Sequence, residues 1–523
     1  MTPDPTAPPP DPRPDDVGGL LRRDLLKRGV FGLGGMALLS LLADEGLLAP
    51  PARAGLAPFP PRPADAADPL APRAPHFPAR AKRCIFLFMF GGPSQMDLFD
   101  HKPELNRRHG QTVSLERRRK DVRDQVLLGT QRSFRRHGET GQWCSDAFPN
   151  IARHMDELCV VKSLYTDSFA HGSALLQMNS GNIAQGHPSL GSWLGYGLGT
   201  PNRDLPAFVV MHDPRGGPIS GAANWSSGYM PAAYQGTLFR ATGDPLLDMT
   251  PAPDGSARSR MSREMERTHL DALNALNAQH LALRGDDRTD TSELAARIAN
   301  YELAYRMQMS APEALDLSAE DERTKEMYAL YDPAPDHRLA VGPAVFGRQC
   351  LIARRLLERG VRFVQIFHGG GHQQQTWDAH HGVEENLAIH APEVDKPIAA
   401  LLTDLKRRGL LEDTLVIWGG EFGRQPTSQQ ASQFQIAHAD GRDHNPKGFT
   451  MWLAGAGITP GSYGETDELG AEAVVDRHHV RELHASVLHL MGLDRHLLSY
   501  PYGGLDRRLV GPAETPLIER LLV

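Results

Sequence analysis

The run Cys84-Ile85-Phe86-Leu87-Phe88-Met89-Phe90, closed by Gly91-Gly92-Pro93, constrains the fold more than any other segment. Consecutive apolar residues leave no polar face, so the run predicts a central strand covered on both sides, with a loop at its carboxyl end. From Lys82 onward, short apolar runs of this kind alternate with helical patterns. Strands are predicted at Leu158 to Lys162, Ala207 to Met211, Arg362 to Phe367, Thr414 to Trp418 and Phe449 to Leu453. Helices are predicted at Val341 to Arg359, Glu384 to Arg408 and Val480 to Met491. Such alternation predicts an α/β fold with a mostly parallel central sheet flanked by helices. Residues 256–331, rich in Arg, Glu, Ala and Leu at helical spacing, predict a helical insertion in a single domain spanning residues 82–523.

The segment before residue 82 has a different logic. Residues 1–19 are rich in Pro and Asp, and Arg22-Arg23 then precede Leu25-Leu26-Lys27 and an apolar stretch from Gly29 to Ala43. That stretch is too short and too Gly-rich for a comfortable membrane span, and Ala52-Arg53-Ala54 offers a small-x-small cleavage site. The order resembles a twin-arginine export signal over residues 1–54, followed by a Pro/Ala-rich linker over 55–81. The competing readings are a cytoplasmic amphipathic helix or an uncleaved anchor. Export would place the protein in the periplasm or outside the cell. Beyond the signal, no apolar stretch reaches the about 18 residues that a membrane span needs.

Charge excludes one large class of partner. With 56 basic against 63 acidic residues, the net charge of −7 offers no basic surface for nucleic acid. The Arg117-Arg118-Arg119-Lys120 run is flanked by Glu116 and Asp121 and reads as a solvated face. Cys84, Cys144, Cys159 and Cys350 have no CxxC spacing and read as buried thiols. Histidine is the unusual residue, at 23 positions, five of them between His368 and His390. Clustered imidazoles raise the odds of a metal site.

Ligands of open α/β sheets bind beyond the carboxyl ends of the strands, which directs attention to the polar, Gly-bearing segments there. Ser94, Asp97 and Asp100 follow the first strand. His368 to His372, then Asp378, His380 and His381, follow Phe367, while Glu421 and Arg424 follow Trp418. Arg442, Asp443 and His444 come just before Phe449, and His171 lies in Phe-Ala-His-Gly-Ser. Asp378, His380, Glu421 and His444 have the N and O donors that one divalent ion needs. Such an ion can polarise a phosphoryl or sulfuryl oxygen, or lower the pKa of a bound water or serine hydroxyl.

Five ordered motifs then make a specific likeness. Phe-Gly-Gly-Pro-Ser-Gln-Met-Asp at 90–97, Tyr-Glu-Leu-Ala-Tyr-Arg-Met-Gln at 301–308, Trp-Asp-Ala-His at 377–380, Glu-Phe-Gly-Arg at 421–424 and Gly-Arg-Asp-His-Asn at 441–445 resemble the DUF1501 family. That family of exported bacterial proteins is placed in the alkaline phosphatase and sulfatase superfamily. The resemblance implies a nucleophile at Ser94, with Gly92 where a carboxylate is usual and Asp97 as the nearest substitute. It also implies ligands at Asp378, His380, Glu421 and His444, with Phe422 where another His ligand would stand. One metal site, for Zn, Ca or Mg, is therefore expected to survive and a second to be damaged. His171 and Arg424 join Ser94 and Asp97 as expected catalytic groups.

Each motif also has a plain structural explanation. Ser94 can cap the helix that follows Pro93. Glu421 can form an ion pair with Arg424 or Arg442, and His171 can be a hydrogen-bonded loop residue. Two functions remain open: a metal-dependent hydrolase of sulfate or phosphate esters, acting on an anionic ester or glycan, or a non-catalytic descendant of the fold that binds glycan or a protein. The formylglycine type of sulfatase is disfavoured, because Pro93-Ser94-Gln95 lacks the Cys/Ser-x-Pro-x-Arg motif.

Overall fold

The computed structural model describes residues 69–116, 122–240, 263–284, 292–371, 373–429 and 440–522. The expected twin arginines, cleavage site and most of the linker lie outside the described residues, as do the run Arg117 to Lys120 and His372. In chain order, the elements that build the site are β1 (Arg83–Met89), β2 (Leu158–Tyr165), α1 (His171–Ser180), α2 (Leu190–Leu198), β3 (Phe208–Met211) and β4 (Thr237–Phe239). Next come α3 (Arg263–Arg284), α4 (Ser292–Leu315), α5 (Pro343–Glu358), β5 (Phe363–His368), α6 (Val383–Arg407) and β6 (Thr414–Gly419). The last are β7 (Gly423–Ser428), β8 (Arg442–Asn445), β9 (Phe449–Gly455), β10 (Gly461–Tyr463), β11 (His478–His479) and α7 (Val480–Leu490).

Among the described residues the main sheet runs β10-β2-β9-β6-β1-β5-β3-β4, with β11 beside β2. β1 is interior and pairs in parallel with β5 on one side and β6 on the other. Its apolar run faces two cores because successive side chains point to opposite faces. Ile85, Leu87 and Met89 pack with Leu351 and Leu356 of α5 and Leu401 of α6, all buried. Cys84, Phe86 and Phe88 pack on the other face with Trp193 and Leu194 of α2 and Leu483 and Val487 of α7. The result is a three-layer arrangement of helices, sheet and helices. All four cysteines are buried and free, as expected.

The sheet is mostly parallel, as expected, and its one exception among the described residues is β9, which runs antiparallel to both β6 and β2. An apolar run carries no information about its direction. The expected insertion is helical where it is described, comprising α3, α4 and a short helix at Glu322–Met327. Sequence reading did not anticipate the hairpin of β7 and β8. Both strands are buried along their whole length, yet their residues, Gly-Arg-Gln-Pro-Thr-Ser and Arg-Asp-His-Asn, are almost all polar. A polar strand buried among polar partners has no hydrophobic period to detect. No described helix is long and apolar enough to cross a membrane.

The strand directions gather the polar segments. Because β9 is antiparallel to both β6 and β2, those two strands are parallel to each other and to β1 and β5. The carboxyl ends of β1, β2, β5 and β6, and the start of β9, therefore share one edge of the sheet. Residues 91–97, 171, 378–380, 421–424 and 442–445 all follow or precede these ends.

Candidate metal centre

Four side chains from three segments of this edge meet at one point. His171 is the first residue of α1, Asp378 and His380 lie in the loop after β5, and His444 is on β8. One ligand atom from each lies within 4.8 Å of the others. Asp378 is the hub: Nε2 of His171 is 3.2 Å from its Oδ2, and Nε2 of His380 and of His444 are 3.1 and 3.0 Å from its Oδ1. Nη2 of Arg424 donates to Oδ1 at 2.7 Å.

The backbone beneath the site requires glycine. Gly91 has φ +113°, and a Cβ there would sit 2.5 Å from the Asp378 nitrogen. At Gly92, with φ +79°, a Cβ would be 2.7 Å from the Phe422 ring. Phe422 therefore leaves no room for a side chain at position 92. Its ring also walls the centre, stacking on His444 at 4.4 Å and lying 4.9 Å from His171.

Glu421 sits behind His171 and is not one of the four converging groups. Fully buried, it accepts the Nδ1 proton of His171 at 2.6 Å and the Gly91 N–H at 3.1 Å. Glu421, expected as a ligand, thus lies outside the converging group, and His171, expected as a catalytic group, lies within it. It also replaces the ion pair of Glu421 with Arg424 or Arg442. Arg442 instead donates from Nε to Asp97 at 2.8 Å, with both side chains fully buried.

The other expected catalytic residues are placed differently too. Ser94 stands at the N-cap position but makes no cap hydrogen bond, and its hydroxyl donates to Asp97. Among the described residues, neither Ser94 nor Asp97 bonds to any of the four converging groups. Asp97, expected as the nearest substitute for a carboxylate at position 92, is thus bonded to Arg442 and Ser94 and lies outside the converging group. Arg424 is fully buried and donates to the carbonyls of Gly92 at 2.9 Å, Gly91, Arg442 at 3.1 Å and Trp377 at 3.3 Å. Four of its five N–H groups are thereby directed to the chain and to Asp378, which it orients.

Electrostatics follow from this packing. Burial disfavours the charged form of Asp378, but the Arg424 guanidinium and His171 outweigh it and hold the carboxyl well below the usual range. His444 goes the other way: burial lowers it to about 3 despite Asp378, so it is neutral. For His171 burial also pulls downward, yet Asp378 and Glu421 prevail and raise it to about 9. Nε2 of His171 is buried and has no well-formed hydrogen bond, despite its closeness to Asp378. A divalent ion fits this donor set, because three imidazoles and a carboxylate converge and a cation can take the place of the His171 proton.

A second buried cluster, His368, His390 and Glu393, is the only other group of this kind among the described residues. It does not fit an ion. Nε1–H of Trp377 donates to Nδ1 of His368 at 3.0 Å, so in the neutral ring Nε2 keeps its proton and points it at Glu393 Oε2, 2.9 Å away. Arg215 already supplies a cation to the same oxygen at 2.8 Å.

A family model described as a protein of unknown function, DUF1501, matches residues 81–522. No curated protein matches. Solved structures similar to the chain include the lipoteichoic acid synthase LtaP from Listeria monocytogenes, at 9% identity over 88% of this chain and 78% of that one, with a TM-score of 0.34. The PsFucS1 sulfatase from Pseudoalteromonas sp. has 10% identity over 79% and 68%, with a TM-score of 0.33. Alkaline phosphatase from the Antarctic bacterium TAB5 has 11% identity over 80% and 99%, also with a TM-score of 0.33.

Proposed function

Since the chain belongs to the DUF1501 family across residues 81–522, we propose that it is an exported, divalent-ion-dependent hydrolase of phosphate or sulfate esters. The observation that carries this reading is the convergence of His171, Asp378, His380 and His444 at the carboxyl edge of the sheet. These four residues would hold the ion. Bound there, a divalent ion draws charge from an ester oxygen and lowers the pKa of a neighbouring water. Arg424 keeps Asp378 ionised and aimed, Glu421 fixes the His171 ring, and Phe422 excludes water from one wall.

In this reading Ser94 is not the nucleophile, because its hydroxyl bonds to none of the four groups that would hold the ion, and water is the attacking group. Ser94→Ala is then expected to lower hydrolysis less than about tenfold, whereas loss of a nucleophile costs about 10³-fold or more. The test is to purify the full chain without chelators, measure its divalent-ion content and assay nitrophenyl phosphate and nitrophenyl sulfate. A bound ion together with turnover of either ester would support the reading; absence of any ion would end it.

One observation favours a second reading, a non-catalytic protein that binds an anionic glycan or a partner. The Ser94–Asp97–Arg442 network is buried and turns the Ser94 hydroxyl to Asp97, away from the four donors. Ion binding with no cleavage of either ester would select it.

The proposed organisation is a signal over residues 1–54, a linker over 55–81 and one domain over 82–523, with delivery to the periplasm or beyond. Replacing Arg22 and Arg23 by Lys is expected to retain the protein in the cytoplasm, since the guanidinium pair and not charge alone is read. Undiminished delivery of that variant, followed by cell fractionation, would refute a twin-arginine route.

A further inference from the structure

The outward nitrogens of the three imidazoles decide what kind of ion the centre can take. Nδ1 of His171 faces Glu421, and Nδ1 of His444 faces the carbonyl oxygen of Phe169 at 2.7 Å. A carboxylate and a carbonyl have no proton to give, so both nitrogens must donate. Nδ1 of His380 likewise donates to the amide oxygen of Gln429. Each ring therefore keeps a proton on Nδ1 and turns Nε2 inward, where its lone pair can face a cation, one that displaces the second proton in the case of His171.

We propose that this centre takes one ion of the zinc class, and that Glu421, Gln429 and the Phe169 carbonyl impose the choice by holding the protons on the outward nitrogens. The proposal rests on the reading that these four residues hold an ion, and goes further by naming its class. Imidazole lone pairs suit zinc and its neighbours, whereas calcium and magnesium require mostly oxygen ligands. Here three donors are nitrogen and only Asp378 supplies oxygen. Partners that orient the far side of a ligating imidazole also raise its basicity, so Glu421 and Gln429 act on the ion through their histidines.

The stoichiometry follows from the same bookkeeping of protons. At the His368, His390 and Glu393 cluster the inward nitrogen of His368 carries its proton, and Arg215 neutralises the carboxylate. That cluster presents a donor and a cation where the first presents lone pairs. It takes no second ion.

The test is calorimetric titration of the full chain, stripped of metal by a chelator, with Zn²⁺, Ca²⁺ and Mg²⁺ separately. One equivalent of Zn²⁺ is expected, bound at least about 100-fold more tightly than Ca²⁺ or Mg²⁺. Glu421→Gln and Gln429→Ala are each expected to weaken zinc binding about 10- to 100-fold. Gln429→Ala tests the point even if the buried Glu421 variant does not fold. Equal affinity for Ca²⁺ or Mg²⁺, a second equivalent of Zn²⁺, or unchanged zinc affinity in the folded variants would overturn this inference and leave an ion centre standing. Failure of all three ions to bind would overturn the inference together with the reading beneath it.

Discussion

His444→Ala is expected to lower divalent-ion affinity by at least about 100-fold and to remove any ester hydrolysis with it. The substitution deletes one of four donors and leaves the Phe169 carbonyl without its imidazole. It also opens the face of Phe422, on which the ring stacks. A histidine carried by an exposed loop would cost little stability. This one lies within β8 and is only 6% exposed, so a cost of about 1–3 kcal/mol is expected as well. Ion titration and urea unfolding on the same preparation separate the two effects. If the variant retains both its ion and its activity, His444 is a packing residue.

Glu393→Ala is expected to have the largest effect on stability, about 3–5 kcal/mol, because it removes the buried carboxylate shared by Arg215, which keeps Asp213, and by two imidazoles. Glu393 is 0% exposed and accepts from the Val341 N–H at 2.7 Å and the Gly342 N–H at 3.2 Å. Its other oxygen accepts from Arg215 at 2.8 Å and His368 at 2.9 Å. Burial alone would raise its pKa, but His368, His390 and Arg215 outweigh it and hold the carboxyl far below the ordinary range. The sign follows from linkage. A group depressed in the folded state contributes its stability above its unfolded pKa, about 4.3 for Glu, and loses it as pH falls toward the folded value. The difference between native protein and variant is therefore expected to be constant from pH 7 to about 5. Below about pH 4 it should shrink by about 1.4 kcal/mol per pH unit. Urea denaturation at pH 7 and pH 3.5 measures both arms, and a pH-independent difference would show that Glu393 acts by packing alone.

This network also bears on the centre, although it holds no ion. Trp377, which donates to His368, precedes Asp378, and its backbone N–H donates to the Phe90 carbonyl at 2.9 Å. The loop that carries the hub carboxylate is thereby tied to the ends of β1 and β5. Damage at Glu393 is expected to reach Asp378 through this loop.

The sequence by itself determined the frame. A strand buried on both faces must be apolar throughout, so Cys84 to Phe90 announced its interior place, and β2, β3, β5, β6 and β9 were legible for the same reason. Helices α5, α6 and α7 followed from their spacing. The chemistry of Asp378, His380 and His444 was legible as residue type, because few side chains offer N or O donors to an ion. Only the tertiary structure decided which donors converge. His171 comes from a segment far from the others in the chain, and its one sequence signal was its position just past β2, at the edge where ligands collect. Glu421 and Ser94 have the right chemistry, but whether a carboxylate ligates or supports, and whether a hydroxyl attacks or only donates, depends on neighbours brought by other segments. Gly91 supplies the N–H that turns Glu421 toward His171, and Asp97, held by Arg442, accepts the hydrogen bond of Ser94. Such choices are made by hydrogen bonds between residues hundreds of positions apart, and no local pattern encodes them.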